Sequence, residues 1–189
     1  MVIKILIGLA VLILLLLTII AMRPSTFRVE RSITIAAPPE NAFAQVNDFH
    51  AWGGWSPWDK KDPGMKRTYG GPPQGVGSTY AWAGDRNVGE GRMTIERSDR
   101  PSQVGIKLEF IKPFAGTNHT TFTFTPSQGG TTVRWVMDGH YNFITKGMSM
   151  VMNMNMDKMI GTDFEAGLSG IKAVAERTAA GGAGMAEAR

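Results

Sequence analysis

Residues 159–176 read MIGTDFEAGLSGIKAVAE, and their periodicity decides the fold. Met159, Ile160, Phe164, Leu168, Ile171 and Val174 recur every three or four positions, while Thr162, Glu165, Lys172 and Glu176 fall on the reverse side. That spacing predicts an amphipathic helix with one buried stripe. The pattern extends back through Met152, Met156 and Lys158, so one long helix is expected from about Met148 to Arg177. Glycines at 161, 167 and 170 lower its intrinsic propensity, which predicts a close approach to whatever it covers, or a kink.

What such a helix would cover lies upstream. Tyr80 and Trp82, Met93 and Ile95, Val104 to Phe110, Phe122 and Phe124, and Val133 to Met137 alternate with polar neighbours, as in Thr121, Thr123 and Thr125. Turn residues such as Ala83-Gly84-Asp85 and Ser127-Gln128-Gly129-Gly130 separate the runs. Period-2 alternation predicts an antiparallel meander with one covered and one wet face. A first strand is expected around Phe27–Ile35, followed by a short helix opened by Pro38-Pro39, carrying Ala42, Phe43 and Val46, and ending near Phe49. Arg31 falls on the apolar side of the first strand, and burying an unpaired cation is costly, so it is expected at a strand end. Residues 50–76, which hold Trp52, Trp55 and Trp58 among glycines, prolines and aspartates, read as an aromatic loop. Strand, short helix, six-strand meander and closing helix make an α+β domain, a curved sheet gripping a helix.

Ahead of this domain, Ile5 to Met22 is an uninterrupted apolar run of 18 residues, reaching ~27 Å as a helix, close to a bilayer's hydrocarbon thickness. The exit, Ile20-Ala21-Met22-Arg23-Pro24, carries no small-x-small cleavage site, so a retained transmembrane anchor over 1–23 is favoured over a cleaved signal. Lys4 stands against Arg23, Arg28 and Arg31, a contest too even to assign the side of the membrane. The expected organisation is thus an anchor at 1–23, one domain at 24–178, and a Gly- and Ala-rich disordered tail at 179–189. The net charge of +4 is dispersed along the chain and fits membrane lipid better than nucleic acid. There are no cysteines, which excludes disulfides and thiol chemistry.

The segments ERSITIAAPPENAFAQVNDFHAWGGWSPW (30–58), GVGSTYAWAG (75–84), GEGRMTIE (89–96) and the closing helix resemble the START-like, or SRPBCC, helix-grip superfamily. The resemblance is to its bacterial branch of polyketide cyclase/dehydrase and lipid transport proteins and covers roughly Phe27 to Arg177. It implies a helix-grip fold with a hydrophobic cavity between sheet and helix, a bound lipid or other apolar molecule, no cofactor, and a place at the bacterial inner membrane. Cavity candidates are Trp52, Trp55, Trp58, Tyr80, Trp82, Phe110, Phe122, Phe124, Trp135, Met152, Met156 and Phe164.

Catalytic groups are sparse. His50, His119 and His140 read as surface residues, the last two on the wet face by strand parity. Ser149 and Ser169 lack a nucleophile elbow, and the Gly75 and Gly89 turns lack the strand-to-helix setting of a phosphate loop. Alternating methionines from Met148 to Met156 could supply thioethers to a soft metal, but two-residue spacing in a helix splits them between two stripes, so they read as adaptable pocket lining and no metal is expected. Asp48, Asp59, Asp62, Asp163 and Glu165 read as caps, turn formers and solvated charges. The reading is a membrane-anchored module binding an apolar small molecule. The alternatives are a cyclase/dehydrase-like enzyme, for which Tyr80, Tyr141 and Arg31 are the residues to inspect, and a protein-binding accessory domain.

Overall fold

In the computed structural model, residues 1–141, 143–151 and 155–187 are described. The apolar run forms helix α1, Val2–Met22, long and apolar enough to cross a membrane by length and composition. The domain follows as β1 (Thr26–Ile35), α2 (Pro39–Asn47), a 3-10 turn (Phe49–Gly54), α3 (Pro57–Lys61), β2 (Lys66–Gly70), β3 (Thr79–Ala83), β4 (Glu90–Asp99), β5 (Gln103–Lys112), β6 (Gly116–Ser127), β7 (Gly130–His140), α4 (Phe143–Val151) and α5 (Met156–Glu187).

The seven strands form one antiparallel sheet in the order β1-β7-β6-β5-β4-β3-β2. The meander is consecutive from β2 to β7, with its β3-to-β7 part as the alternation predicts, and β1 closes on β7. Register shifts between Glu90 and Gly91 and between Ile95 and Arg97 bend β4, which curls the sheet around α5.

Four differences from the sequence reading have physical causes. The stretch 50–76 is not one loop: it contains a 3-10 turn, α3 and the edge strand β2, whose KRTYG sequence is too short and polar to show alternation. The closing helix is two helices, with α5 starting at Met156 because the Asn155 carboxamide caps it, accepting from the backbone N–H of Asp157 at 2.9 Å and of Lys158 at 3.3 Å. The α5 backbone also runs past Arg177 to Glu187, continuing the helix through Gly181, Gly182 and Gly184 despite their low intrinsic propensity.

The fourth difference is Arg31, which lies in the middle of β1, not at its end. Its guanidinium donates to Glu165 Oε1 (2.7 Å) and to Asp157 Oδ1 (2.8 Å), so the inward cation is paired rather than stranded. These bonds hold the guanidinium pKa above its ordinary value and the Asp157 carboxyl below its own. Gly161 makes the room: a Cβ there would stand 2.1 Å from an Arg31 nitrogen. Gly167 and Gly170 serve the same close approach, Gly167 against the Trp135 ring and Gly170 against the Trp55 backbone.

Candidate functional site

The sheet's inner face divides into two halves, and Trp135 stands between them. On one side, α2 and the 3-10 turn drive Phe43, Val46, Phe49 and Trp52 onto the sheet, and Leu168, Ile171 and Ala175 of α5 close the core. Trp135 stacks on Phe164 with ring centroids 3.9 Å apart and 10° between planes, and on Phe122 at 4.5 Å. Its indole N–H donates to Thr120 Oγ1 (2.7 Å), and that hydroxyl donates to the Val136 carbonyl (2.8 Å), so the ring is fixed by packing and by hydrogen bonds.

On the other side, toward the β3–β4, β5–β6 and β7–α4 turns, none of the described residues fills the space between sheet and α5. A cavity of about 500 Å³ remains there. Its floor follows the strand register: Trp82, Gly91 and Phe110 form one cross-strand row, and Tyr80, Met93, Leu108, Asn118, Gly139 and Phe27 form the next. Met156, Met159, Ile160 and Phe164 of α5 form its roof, with Trp58 of α3 at one side and Thr145, Met148 and Ser149 of α4 at the mouth. Glycine is needed at two floor positions. A Cβ on Gly91 would stand 2.4 Å from Trp82 ring atoms, and one on Gly139 would stand 2.3 Å from the Phe27 ring and 2.4 Å from Asn118 Oδ1.

Eight of the twelve sequence candidates therefore line one space: Trp52, Trp58, Tyr80, Trp82, Phe110, Trp135, Met156 and Phe164. Trp55, Phe122 and Phe124 are instead in the packed half, 0 to 2% exposed, with the Trp55 indole donating to the Gln45 carbonyl. Met152 lies outside the described residues, as does Met154. Met93, Leu108 and Met137 share the inward parity of the named strand residues and line the cavity too. Asn118 also belongs to that parity, but its polarity hid it.

The cavity wall is mostly apolar, with a few polar groups. Asp59, expected as a turn former, lines it and accepts from Arg67 Nε at 2.6 Å. Tyr80 is 5% exposed, and burial, reinforced by the nearby Asp59 charge, pushes its hydroxyl pKa far above the ordinary 10.0. Tyr141, whose ring lies 5.0 Å from Phe27, is shifted upward by burial as well. Both phenols are therefore protonated at neutral pH and do not serve as bases. Arg31 is outside the cavity lining, held by Asp157 and Glu165. His140 contributes to the rim while remaining exposed, His119 is exposed, and His50 lies outside this cavity, stacked on Tyr69 at 4.2 Å with Nδ1 2.9 Å from Asp48 Oδ1. The remaining acids act structurally: Asp163 accepts from Lys61 Nζ at 2.7 Å, and Asp62 accepts from the Gly64 and Asp85 backbone N–H groups.

Comparison with known proteins accords with this architecture. Protein CV1439 from Chromobacterium violaceum superimposes with a TM-score of 0.57 at 17% identity, over 82% of this chain and 99% of that one. The di-domain ARO/CYC StfQ from the steffimycin biosynthetic pathway gives a TM-score of 0.60 at 10% identity over 82% of this chain. This chain spans about half of StfQ, 52% of its length. Ara h 8.0201 gives 0.53 at 12% identity, over 82% and 99% of the two chains. At such identities the likeness is one of fold. A search of curated proteins finds no match. The model of the polyketide cyclase/dehydrase and lipid transport family matches residues 26–176, and the chain belongs to that family.

Proposed function

We propose that this protein is a membrane-anchored binding module that holds one apolar small molecule or lipid in the cavity between its sheet and α5. The observation that carries the reading is the 500 Å³ space, roofed by methionines and floored by aromatics, in a domain otherwise packed around fixed rings. Methionine and aromatic walls favour apolar ligands of irregular shape. The placement of α1 supports the anchoring half of the reading. Ile20 near its end is buried, and a Cβ on Gly147 of α4 would meet Ile20 Cδ1 at 3.5 Å. The same α4 contributes Thr145, Met148 and Ser149 to the cavity mouth, and Phe27, five residues after Met22, lines the floor. A membrane-spanning α1 thus sets the mouth beside a reservoir of apolar molecules.

A second reading, a cyclase- or dehydrase-like enzyme, is favoured by one feature, the Tyr80 hydroxyl beside the Asp59–Arg67 pair. A protonated phenol there would donate to a carbonyl oxygen on which negative charge develops.

The test is uptake of N-phenyl-1-naphthylamine by the full-length protein in nanodiscs, set against empty discs. Saturable fluorescence enhancement that is lost in Leu108→Trp, where an indole occupies the cavity floor, is the expected result. Enhancement equal in both proteins, or no greater than in empty discs, would overturn the reading.

A further inference from the structure

Asn118 is the anomaly of the cavity. It stands in an inward row of the sheet between Leu108 on β5 and Gly139 on β7, with Met93 and Phe27 further along the same row. It is 9% exposed and lines the cavity. A carboxamide offers two N–H donors and an oxygen with two lone pairs. Among the described residues its one partner is the Met137 thioether, at 3.8 Å from Nδ2, and a thioether is a weak acceptor. The neighbouring polar groups are better matched: Thr120 both donates and accepts, the Trp52 and Trp82 indoles donate to backbone carbonyls, and Asp59 accepts from Arg67.

Asparagine is also disfavoured in strands, and no buried side-chain N or O atom among the described residues lacks a partner, so the unpartnered Asn118 oxygen is open to the cavity rather than sealed in the core. Gly139 adds to the argument. Its missing side chain is what admits the Asn118 oxygen and the Phe27 ring at the same level. The inward row thus makes space for a carboxamide that the protein itself leaves largely unused.

We infer that Asn118 is a specificity-determining residue that reads an oxygen on the body of the bound molecule, so that the ligand is an apolar, carbonyl- or hydroxyl-bearing compound rather than a hydrocarbon. This rests on the cavity-binding reading and narrows it. The row holding Asn118 lies inside the mouth, with Gly116 and Phe110 in the row outward of it and Thr120 in the row inward. A lipid recognised only by its headgroup would place its polar atoms at the mouth, short of this row. A ketone oxygen accepts from Nδ2–H, and a hydroxyl both accepts there and donates to Oδ1.

The experiment compares two probes of one skeleton, menadione and 2-methylnaphthalene, which differ by two carbonyl oxygens. Binding is read by tryptophan quenching of the full-length protein in nanodiscs, in the native protein and in Asn118→Leu and Asn118→Thr. Partition of each probe into the disc is common to all three proteins, so the readout is the native-to-variant affinity ratio for each probe. One hydrogen bond corresponds to an expected loss of about fivefold for menadione in Asn118→Leu, with little change for 2-methylnaphthalene. Asn118→Thr, which keeps a hydroxyl, retains part of the preference. The carbonyl stretch of bound menadione should lie at lower frequency in the native protein than in Asn118→Leu. Equal ratios for the two probes, or an unshifted stretch, would overturn the inference while leaving the cavity reading intact. Binding of neither probe by the native protein would remove both.

Discussion

Replacing Gly170 by alanine tests how closely α5 is pressed onto the domain. In an unconstrained helix the change stabilises by about 1 kcal/mol, because glycine loses more backbone freedom on folding. Here the new Cβ would lie 2.7 Å from the Trp55 carbonyl oxygen, 3.0 Å from its Cβ and 3.1 Å from its Cα. Trp55 cannot yield. It is 1% exposed, its N–H bonds the Trp52 carbonyl at 3.0 Å, its indole bonds Gln45, and its ring lies 4.5 Å from that of Trp52. The helix must lift instead, loosening Leu168 and Ile171, both almost fully buried. Overpacking of this kind costs about 1–3 kcal/mol, which outweighs the propensity gain and leaves a net loss of about 1 kcal/mol. For a chain of this size that lowers Tm by about 2–4 °C. Gly181→Ala in the same helix is the control, since nothing lies within 4 Å of its Cβ, and it should leave Tm unchanged or raise it. The assay is thermal unfolding of the full-length protein followed by near-ultraviolet circular dichroism, which reports the tryptophan cluster and not α1. A rise in Tm for both variants would refute the close approach.

Other perturbations read other parts of the account. Phe164→Ala removes the ring stacked on Trp135 and should cost about 3–5 kcal/mol, seen as a large fall in Tm. Gly91→Ala drives a Cβ into the Trp82 ring and the Glu109 carbonyl, so it should lower both Tm and N-phenyl-1-naphthylamine uptake; unchanged uptake would remove Trp82 from the cavity wall. The Arg31–Asp157 bond gives a pH signature. Arg31 depresses the Asp157 carboxyl below its ordinary 3.8, so the pair's contribution is present above that value and is lost as pH falls through the lower, folded-state value. The Tm difference between the native protein and Asp157→Asn should therefore be constant above about pH 5 and shrink in more acid solution. A gap that persisted unchanged to pH 2 would contradict the pairing.

Much of the architecture was legible because strand parity and helical spacing are direct records of burial. Tyr80, Trp82, Phe110, Phe122 and Trp135 all point inward as the alternation predicts. Parity, however, says only which face a residue takes and not what stands opposite. Phe122 and Phe124 meet α2 and the 3-10 turn, whereas Leu108 and Phe110 meet open space, and that difference depends on where non-adjacent segments come to rest. The place of Arg31 is illegible for a related reason: its partners Asp157 and Glu165 are more than a hundred residues away, and pairing at that separation leaves no local trace. Asn118 is polar and so carries no mark of an apolar pocket, although its period-2 relation to Thr120 and Phe122 places it on the same face. The helix break was foreshadowed by Asn155, a good N-cap in a run of methionines, but the continuous apolar spacing masked it.

The central claim is that the cavity holds an apolar molecule, and native mass spectrometry of the full-length protein, released gently from detergent or nanodiscs, tests it most directly. The account predicts a population carrying one additional apolar molecule, lost in Leu108→Trp. A native protein that appears only at its bare polypeptide mass of 20.5 kDa, indistinguishable in occupancy from Leu108→Trp, would contradict it.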